Sequence, residues 1–371
     1  MMKKKIAHTI FLPSPHRIKY CEEMNKYYEY KCFFYEELGE RASWWKSKLP
    51  ESCELLNNVY FKKSGKYLSL DLFGKLKKFD PDLIVIGGFS SPSSILTYLW
   101  AKNNNKKTVV FTERSRDSKG RLRSKSLIWY ILRRIYNKVD LIITSDKDIV
   151  PQFRDVFGFG NKVVAGRYSS DLDDYFSHPI RKEKSDKDYS IIFPNRLTEI
   201  YNPILAIKIV ESLLLKYPNL NLYLNALREL RSDCESYIAN HRLHKSIHFL
   251  DDIKTWDDLS LIYQSNDIML LPAKFSNGNF TILEAMASGM GIVISDNVLG
   301  VGKLIKNDIN GYYIPENILM FVEAISNYIE SPDLFEKHSI INRKIVKPLG
   351  ISGTAKFTYD LIQRRVFQEE L

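Results

Sequence analysis

Short apolar runs alternate with longer amphipathic segments along most of this 371-residue chain, and this alternation constrains its fold most strongly. The runs at 82–89, 108–114 and 138–146 have the length of strands, and their centres lack the polar alternation of a half-exposed strand. Strands buried on both faces are typical of parallel sheets covered by helices. Because helical segments separate the runs, we predict a doubly wound α/β fold.

The same pattern resumes after a charged interruption, which indicates a second α/β domain. Residues 181–188 read RKEKSDKD and contain no apolar side chain, so we interpret them as a linker. The predicted domains are 1–180 and 189–345, followed by a C-terminal segment, 346–371, that includes a helix. Strands are predicted in the second domain at Tyr189–Phe193, Asn221–Asn225, Ile247–Leu250 and Asp267–Leu271. Residues 19–62 are rich in aromatic side chains without a clear period, and we place them only as helices and loops.

Composition and charge argue against a zinc site and a membrane span, and they indicate what kind of partner the protein has. The four cysteines show no CxxC or Cys/His spacing, which favours free thiols in a reducing compartment and argues against a zinc site. No stretch approaches the roughly 18 apolar residues of a membrane span, and the N-terminus reads as a first strand rather than a signal peptide. The net charge of +10 and the pI near 9.1 indicate a polyanionic neighbour, such as anionic lipid, nucleic acid or a phosphorylated substrate.

The stretch 275–296, FSNGNFTILEAMASGMGIVISD, holds the most specific functional pattern. A polar loop leads into a helix predicted at Thr281–Ser288, and the strand 292–294 follows. A loop that enters a helix N-terminus binds anions readily. Glu284 is the one carboxylate in that helix, and a carboxylate can accept hydrogen bonds from both hydroxyls of a ribose. A solvated helix glutamate is the alternative interpretation.

The LEAMASG sequence in this stretch resembles the second half of the E-x7-E motif of retaining glycosyltransferases with the GT-B fold, family 4. The resemblance implies that Glu284 holds the ribose of a nucleotide sugar. The first glutamate of the motif, which faces the donor sugar, falls at Ser276, so the sequence departs from the family there. We predict that Ser276, Asn277 and Asn279 contact the donor sugar instead, and that Gly278 lets the backbone approach it.

A second segment resembles the part of the family that clamps the diphosphate. The family pattern GRLxxxKG aligns with residues 195–202, where Arg196 matches the arginine and Tyr201 replaces the lysine. Lys274 is a candidate substitute for the missing cation. The resemblance also implies that Asp251 and Ile253 lie against the base, and that N–H groups at the helix entry, near Phe280 and Thr281, stabilise the leaving diphosphate without a metal ion.

Candidate residues of the first domain follow predicted strands. His16 and Arg17 follow the first strand, and Gly88 follows the second, at the strand ends where open α/β sheets bind ligands. Glu113 ends the third, where many members of the family carry a histidine. Glu113 is interpreted either as a group that serves the acceptor hydroxyl or as an ion-pair partner of Arg114 or Arg116.

Residues 114–138 form a basic and aromatic segment with a single acid, Asp117. Such a segment can lie on an anionic bilayer, and it can equally be a core helix with an exposed basic face. A nucleic-acid partner would need a recognised binding module, and we identify none.

Taken with the resemblance, these patterns predict two Rossmann-like domains that face a cleft, with a C-terminal helix that returns to the first domain. The predicted activity is transfer of a sugar, with retention, from a nucleotide-diphosphate sugar to a glycan or lipid-linked acceptor of cell-surface polysaccharide synthesis. No cofactor or metal is predicted, and the predicted location is cytoplasmic, at the inner face of the membrane. The alternatives are a catalytically inactive GT-B subunit and a nucleotide-sugar epimerase or hydrolase of the same fold.

Overall fold

The computed structural model describes residues 3–35, 48–61, 66–113, 127–180, 188–276 and 279–369. The chain forms two compact units. Unit 1 comprises Met1–Tyr168 and Ile351–Leu371, and unit 2 comprises Ser169–Gly350. Each unit is built around a parallel sheet with helices on its faces, which confirms the predicted α/β class.

Unit 1 contains a seven-stranded sheet and a separate antiparallel hairpin. The sheet strands are β1 (Lys5–Ile10), β2 (Glu29–Phe34), β3 (Cys53–Leu55), β6 (Leu83–Gly87), β7 (Lys107–Thr112), β8 (Leu141–Thr144) and β9 (Val163–Ala165), and the hairpin pairs β4 (Asn58–Phe61) with β5 (Lys66–Ser69). The strand order is β3-β2-β1-β6-β7-β8-β9, and every neighbouring pair in the sheet is parallel.

Helices cover both faces of this sheet because its central strands are apolar on both sides. The helices of unit 1 are α1 (Pro15–Met24), α2 (Leu72–Phe79), α3 (Pro92–Asn103), α4 (Leu127–Ile135) and α12 (Ile351–Ile362). Ile84 and Ile86 belong to a core with α2, α3 and α4, whereas Val85 belongs to a core with α1 and α12. The last helix thus packs in unit 1, although the chain reaches it only after passing through unit 2.

Unit 2 repeats the architecture with six parallel strands. They are β10 (Ser190–Phe193), β11 (Asn221–Asn225), β12 (Ile247–Leu250), β13 (Ile268–Leu271), β14 (Gly291–Ser295) and β15 (Tyr312–Ile314), in the order β12-β11-β10-β13-β14-β15. The helices are α5 (Asp173–Phe176), α6 (Pro203–Leu214), α7 (Arg231–Asn240), α8 (Asp258–Ser265), α9 (Phe280–Ala287), α10 (Ile318–Glu330) and α11 (Pro332–Val346).

The first compact unit ends before the predicted linker. The units divide at Tyr168 and Ser169, whereas the sequence places the boundary at 181–188, of which only Asp188 is described. The intervening residues pack in unit 2: the Tyr175 ring lies 5.3 Å from that of Tyr263, and the Arg343 guanidinium donates to the His178 carbonyl oxygen. These contacts were invisible in the sequence because they join residues far apart in the chain.

Two expectations for the N-terminal region are wrong. Residues 19–62 contain three strands, β2, β3 and β4, where only helices and loops were expected. Cys21 and Cys32 are joined by a disulfide, with 6.5 Å between their Cα atoms, so only Cys53 and Cys234 are free thiols. The eleven-residue spacing gave no sign of this pairing, because it depends on α1 packing over β2.

None of the helices in the described part of the chain is long and apolar enough to cross a membrane.

Candidate functional site

Unit 2 carries a cluster of polar side chains where β10 and β13 lie side by side. From β10 the sheet grows through β11 and β12 in one direction, and from β13 through β14 and β15 in the other. Ligands of open α/β sheets bind at the carboxyl ends of the strands at such a switch point. Asn195 and Arg196 follow β10, and residues 272–279 connect β13 to α9. The fold therefore brings together the two segments that the sequence assigned to the donor.

Hydrogen bonds join the side chains of this cluster. The Asn195 amide donates from Nδ2 to Asn279 Oδ1 at 3.0 Å, and Thr281 Oγ1 donates to Asn195 Oδ1 at 3.3 Å. Asn279 in turn donates from Nδ2 to Ser276 Oγ at 3.4 Å. Asn279 is the N-cap of α9, yet its side chain makes no capping bond to that helix. Asn195 was not predicted as a site residue, although it directly precedes Arg196.

Ser276, which stands at the position of the first motif glutamate, is buried and held by its main chain. Its N–H donates to the Asn297 carbonyl at 3.3 Å, and its carbonyl accepts from the Leu299 N–H at 2.9 Å. These two main-chain hydrogen bonds fix the position of the backbone that carries the Ser276 hydroxyl. Asn277 and Gly278, which were predicted to touch the donor, lie outside the described residues.

The cations predicted for the diphosphate differ in their surroundings. Arg196 is half-buried, and its guanidinium pairs with no acid among the described residues. Lys274 is exposed and forms an ion pair with Glu199 at 3.3 Å. Tyr201 is half-buried, and its N–H donates to the Thr198 carbonyl. Arg196 is thus better placed than Lys274 to offer an unpaired charge.

Glu284 lies inside α9 and is only 4% exposed. Oε1 accepts from Ser170 Oγ at 3.0 Å, and Oε2 accepts from the Tyr263 hydroxyl at 3.1 Å. The pKa of this carboxyl is raised to about 7, chiefly by burial; the two hydrogen bonds oppose the shift and the charge of Asp171 adds to it. Ser170 and Tyr263 were not predicted as partners, since neither is near Glu284 in the chain.

The residues predicted to face the base lie after β12. The Asp251 carboxylate accepts two bonds from the Arg231 guanidinium, at 2.8 and 3.1 Å, and that guanidinium lies 3.6 Å from the centre of the Phe249 ring. Ile253 is half-buried. Phe280 and Thr281 are the first residues of α9, and both are half-buried. The residues after β12 thus lie beside an aromatic ring and a guanidinium–carboxylate pair.

Unit 1 has a corresponding switch point between β1 and β6. His16 and Arg17 lie in the first turn of α1, and Gly88 follows β6 with a φ of +79°, a conformation that favours glycine. Arg17 interacts electrostatically with Glu113, which is exposed after β7; the expected partners Arg114 and Arg116 lie outside the described residues. The first domain thus also gathers its predicted residues at a strand-end switch point.

The His16 side chain lies inside unit 1. It is buried, and its Nε2 lies 3.2 Å from Ser14 Oγ. Burial and the Arg17 charge lower its pKa to about 3, so the ring is neutral at physiological pH.

The described half of the basic segment is the amphipathic helix α4. Its Trp129 and Leu132 side chains are buried, whereas Leu127, Ile128, Tyr130 and Ile131 are exposed, Leu127 by 73%. Arg133 and Arg134 are exposed in its last turn. Residues 114–126 lie outside the described ranges.

Metal-ligating side chains converge at one place in the described ranges. Cys21, Cys32 and Cys53 have sulfur atoms within 4.8 Å of one another, and no comparable group of histidines, cysteines or acids lies at either switch point among those residues.

Most of unit 2 is similar in sequence to a known protein family. Residues 176–345 match the model of Glycosyl transferases group 1. A 146-residue stretch is 27% identical to an uncharacterised glycosyltransferase of Haemophilus influenzae. That match spans 39% of this chain and 40% of the curated relative's length.

Solved structures resemble the chain over its whole length. A glycosyltransferase from Rickettsia africae gives a TM-score of 0.73 at 15% identity, with both chains covered completely. HepE of Anabaena in complex with UDP gives a TM-score of 0.72 at 13% identity, covering 97% of this chain and all of that one. At these identities the likeness establishes the fold, and the predicted GT-B class is confirmed.

Proposed function

We propose that this chain is a glycosyltransferase that moves a sugar, with retention, from a nucleotide-diphosphate sugar to a glycan or lipid-linked acceptor. The observation that supports this proposal most directly is the polar cluster at the β10/β13 switch point, which consists of Asn195, Ser276, Asn279 and Thr281. This cluster lies within the residues that match the glycosyltransferase family. The Anabaena structure of the same fold is bound to UDP, which supports a nucleoside diphosphate as the ligand.

In this proposal the leaving diphosphate lies between Arg196 and the N-terminus of α9. A guanidinium offers a bidentate fork to phosphate oxygens, and the first-turn N–H groups of a helix favour an anion. Because the Asn279 side chain bonds to Asn195 and Ser276, it does not cap those N–H groups. Charge that develops on the diphosphate as the glycosidic bond breaks is thereby stabilised, and the C–O bond breaks more readily.

Glu284 is proposed to accept hydrogen bonds from the ribose. Each carboxylate oxygen has two lone pairs, and the bonds from Ser170 and Tyr263 use one on each. The ribose would take the remaining positions.

Unit 1 is proposed to bind the acceptor through its own switch point. Glu113 is the exposed carboxylate there, and Arg17 supplies a positive charge beside it. A carboxylate in this position can accept the proton of the attacking hydroxyl. His16 is buried and bonded to Ser14, so its proposed role is to hold the start of α1.

A peripheral position on the cytoplasmic face of a membrane is the proposed location. The exposed apolar residues of α4 lie beside Arg133 and Arg134, which is the chemistry of a helix that lies in an anionic interface. A lipid-linked acceptor would be presented at that surface.

An inactive subunit of the same fold is the second candidate, and one observation favours it. Ser276 replaces the motif glutamate, and its main chain and hydroxyl are already bonded within the protein. An inactive subunit would bind a nucleotide without turnover. A nucleotide-sugar epimerase has no observation of its own in its favour.

The donor site is tested by binding. A thermal-shift panel of nucleotide sugars selects the donor, since only ligands of the folded state raise the melting temperature. Calorimetry then compares the diphosphate and the free nucleoside on the wild type and on Arg196→Ala. Loss of a charged hydrogen bond is worth about 1.5–3 kcal/mol, so the diphosphate should bind roughly 10- to 100-fold more weakly to the variant, and the nucleoside unchanged.

Lys274→Ala serves as the matched control, because Lys274 is already paired with Glu199. It should weaken the diphosphate far less. Equal losses for diphosphate and nucleoside in Arg196→Ala would show that the phosphate contact lies elsewhere.

A further inference from the structure

Three cysteines that are distant in the sequence meet under α1 in unit 1. Cys21 belongs to α1, Cys32 to β2 and Cys53 to β3, and the parallel register places Cys32 beside Cys53. Each side chain is at most 4% exposed, and the three sulfur atoms lie within 4.8 Å of one another. This three-cysteine cluster lies apart from the residues assigned to glycosyl transfer.

The spacing of the sulfur atoms suits a single thiophilic ion. A zinc–sulfur bond is about 2.3 Å long, so three sulfurs around one ion lie about 4 Å apart. The Cys21 and Cys32 sulfurs are bonded to each other, and the Cys53 sulfur lies within 4.8 Å of both. Once the disulfide is reduced, the first two sulfurs would have to separate to reach the spacing around an ion. Since no carboxylate or imidazole joins the described cluster, the donor set is soft, which disfavours calcium and magnesium.

We propose that the three-cysteine cluster binds one zinc-type divalent ion when the Cys21–Cys32 disulfide is reduced. The disulfide occupies two of the three ligands, so ion and disulfide exclude each other. A phosphine or dithiol reductant supplies two electrons, and two protons complete the two thiols. Binding then releases three thiol protons and forms three metal–sulfur bonds, which leaves one net negative charge at the site and an open fourth position for water.

The ion would join α1 to both β2 and the edge strand β3, so that it would fix the helix whose first turn holds His16 and Arg17.

The test uses the full chain without an affinity tag. One sample is reduced with tris(2-carboxyethyl)phosphine and desalted without oxygen, and the other keeps its disulfide. Each is titrated with Zn²⁺ and with Cd²⁺, and bound metal is measured after gel filtration together with the thiolate–cadmium absorbance. The proposal expects one ion per reduced chain, none per oxidised chain, and a higher melting temperature for the loaded form.

Variants identify the ligands. Cys53→Ser should bind Zn²⁺ at least about tenfold more weakly, whereas Cys234→Ser, which alters the other buried free thiol, should bind as the wild type does. If Cys53→Ser does not fold, the comparison of metal binding by reduced and oxidised wild type still tests the proposal. Equal binding by the two redox forms, or by Cys53→Ser and wild type, would overturn the proposal. Formation of a disulfide between another pair of these three cysteines, with no uptake of metal by the reduced chain, would also overturn the proposal.

Discussion

At the scale of single residues, Glu284 links the stability of the protein to pH. Its carboxyl is buried between Ser170 and Tyr263, and burial raises its pKa to about 7 from a usual value of 4.5. The folded state therefore holds this proton more tightly than the unfolded chain does. Stability from this group is fully present below pH 4.5 and is lost as the pH rises to about 7.

Glu284→Gln should remove this dependence, because the amide resembles the protonated acid and does not titrate. The shift corresponds to roughly 3 kcal/mol, so the free energy of unfolding of the variant relative to wild type should rise by about that amount between pH 4.5 and 7.5. Urea unfolding at pH 4.5 and pH 7.5 measures this rise.

Glu211→Gln is a control of opposite sign. Burial raises the pKa of Glu211, but hydrogen bonds from Tyr237 and His241 lower it more, so its net shift is downward. Above about pH 5 this carboxyl is ionised in both the folded and the unfolded state, so the relative stability of that variant should stay level there and should fall only as the pH rises through the range below 4.5. A difference between Glu284→Gln and wild type that stays constant with pH would contradict the assignment.

At the scale of elements, α4 has exposed apolar residues that the described part of unit 1 does not cover. Each exposed isoleucine that enters a lipid interface contributes about 1.5–3 kcal/mol, and each nearby basic residue about 1 kcal/mol. We expect co-sedimentation with vesicles to rise with anionic lipid and to fall with salt. Ile128→Glu with Ile131→Glu should lower the bound fraction at least about tenfold.

Leu215→Glu is the control for this experiment, because Leu215 is 92% exposed in unit 2 and lies outside the basic segment. It should leave vesicle binding unchanged. If the wild type ignores anionic vesicles at low salt, α4 is an ordinary surface helix, and a soluble acceptor is favoured.

The elements also show what the sequence could predict. The predicted ends of β11 and β12 agree with the structure, because short apolar strands there alternate with clear helices. The N-terminal strands β2 and β3 were missed, since β2 reads EYKCFF without a period and β3 has only three residues. Their existence depends on pairing with β1, which is a tertiary effect.

The candidate site was predicted in part for a related reason. Arg196 and the entry to α9 were found because local patterns mark strand ends and helix starts. The bonds of Glu284 to Ser170 and of Asn195 to Asn279 join residues 114 and 84 positions apart, so no local pattern reveals them. The three-cysteine cluster was not predicted for the same reason, because its members meet only in the folded protein.

At the scale of the whole molecule, two parallel sheets each place polar residues at a switch point. This repetition fits an enzyme that binds donor and acceptor on separate units, and it fits an inactive relative equally well. The two accounts differ over Ser276, which stands where the motif has a glutamate. In an active enzyme this substitution leaves turnover, whereas in an inactive subunit turnover is lost. Only turnover distinguishes them, because both predict nucleotide binding.

The deciding measurement is release of nucleoside diphosphate, using the donor that stabilises the protein best and an acceptor from a cell extract. We predict release above the enzyme-free blank, and we predict that Asn279→Ala lowers kcat more than donor affinity, because contacts to the sugar matter most in the transition state. Release no greater than the blank with every donor that binds would contradict the proposed activity and establish an inactive subunit.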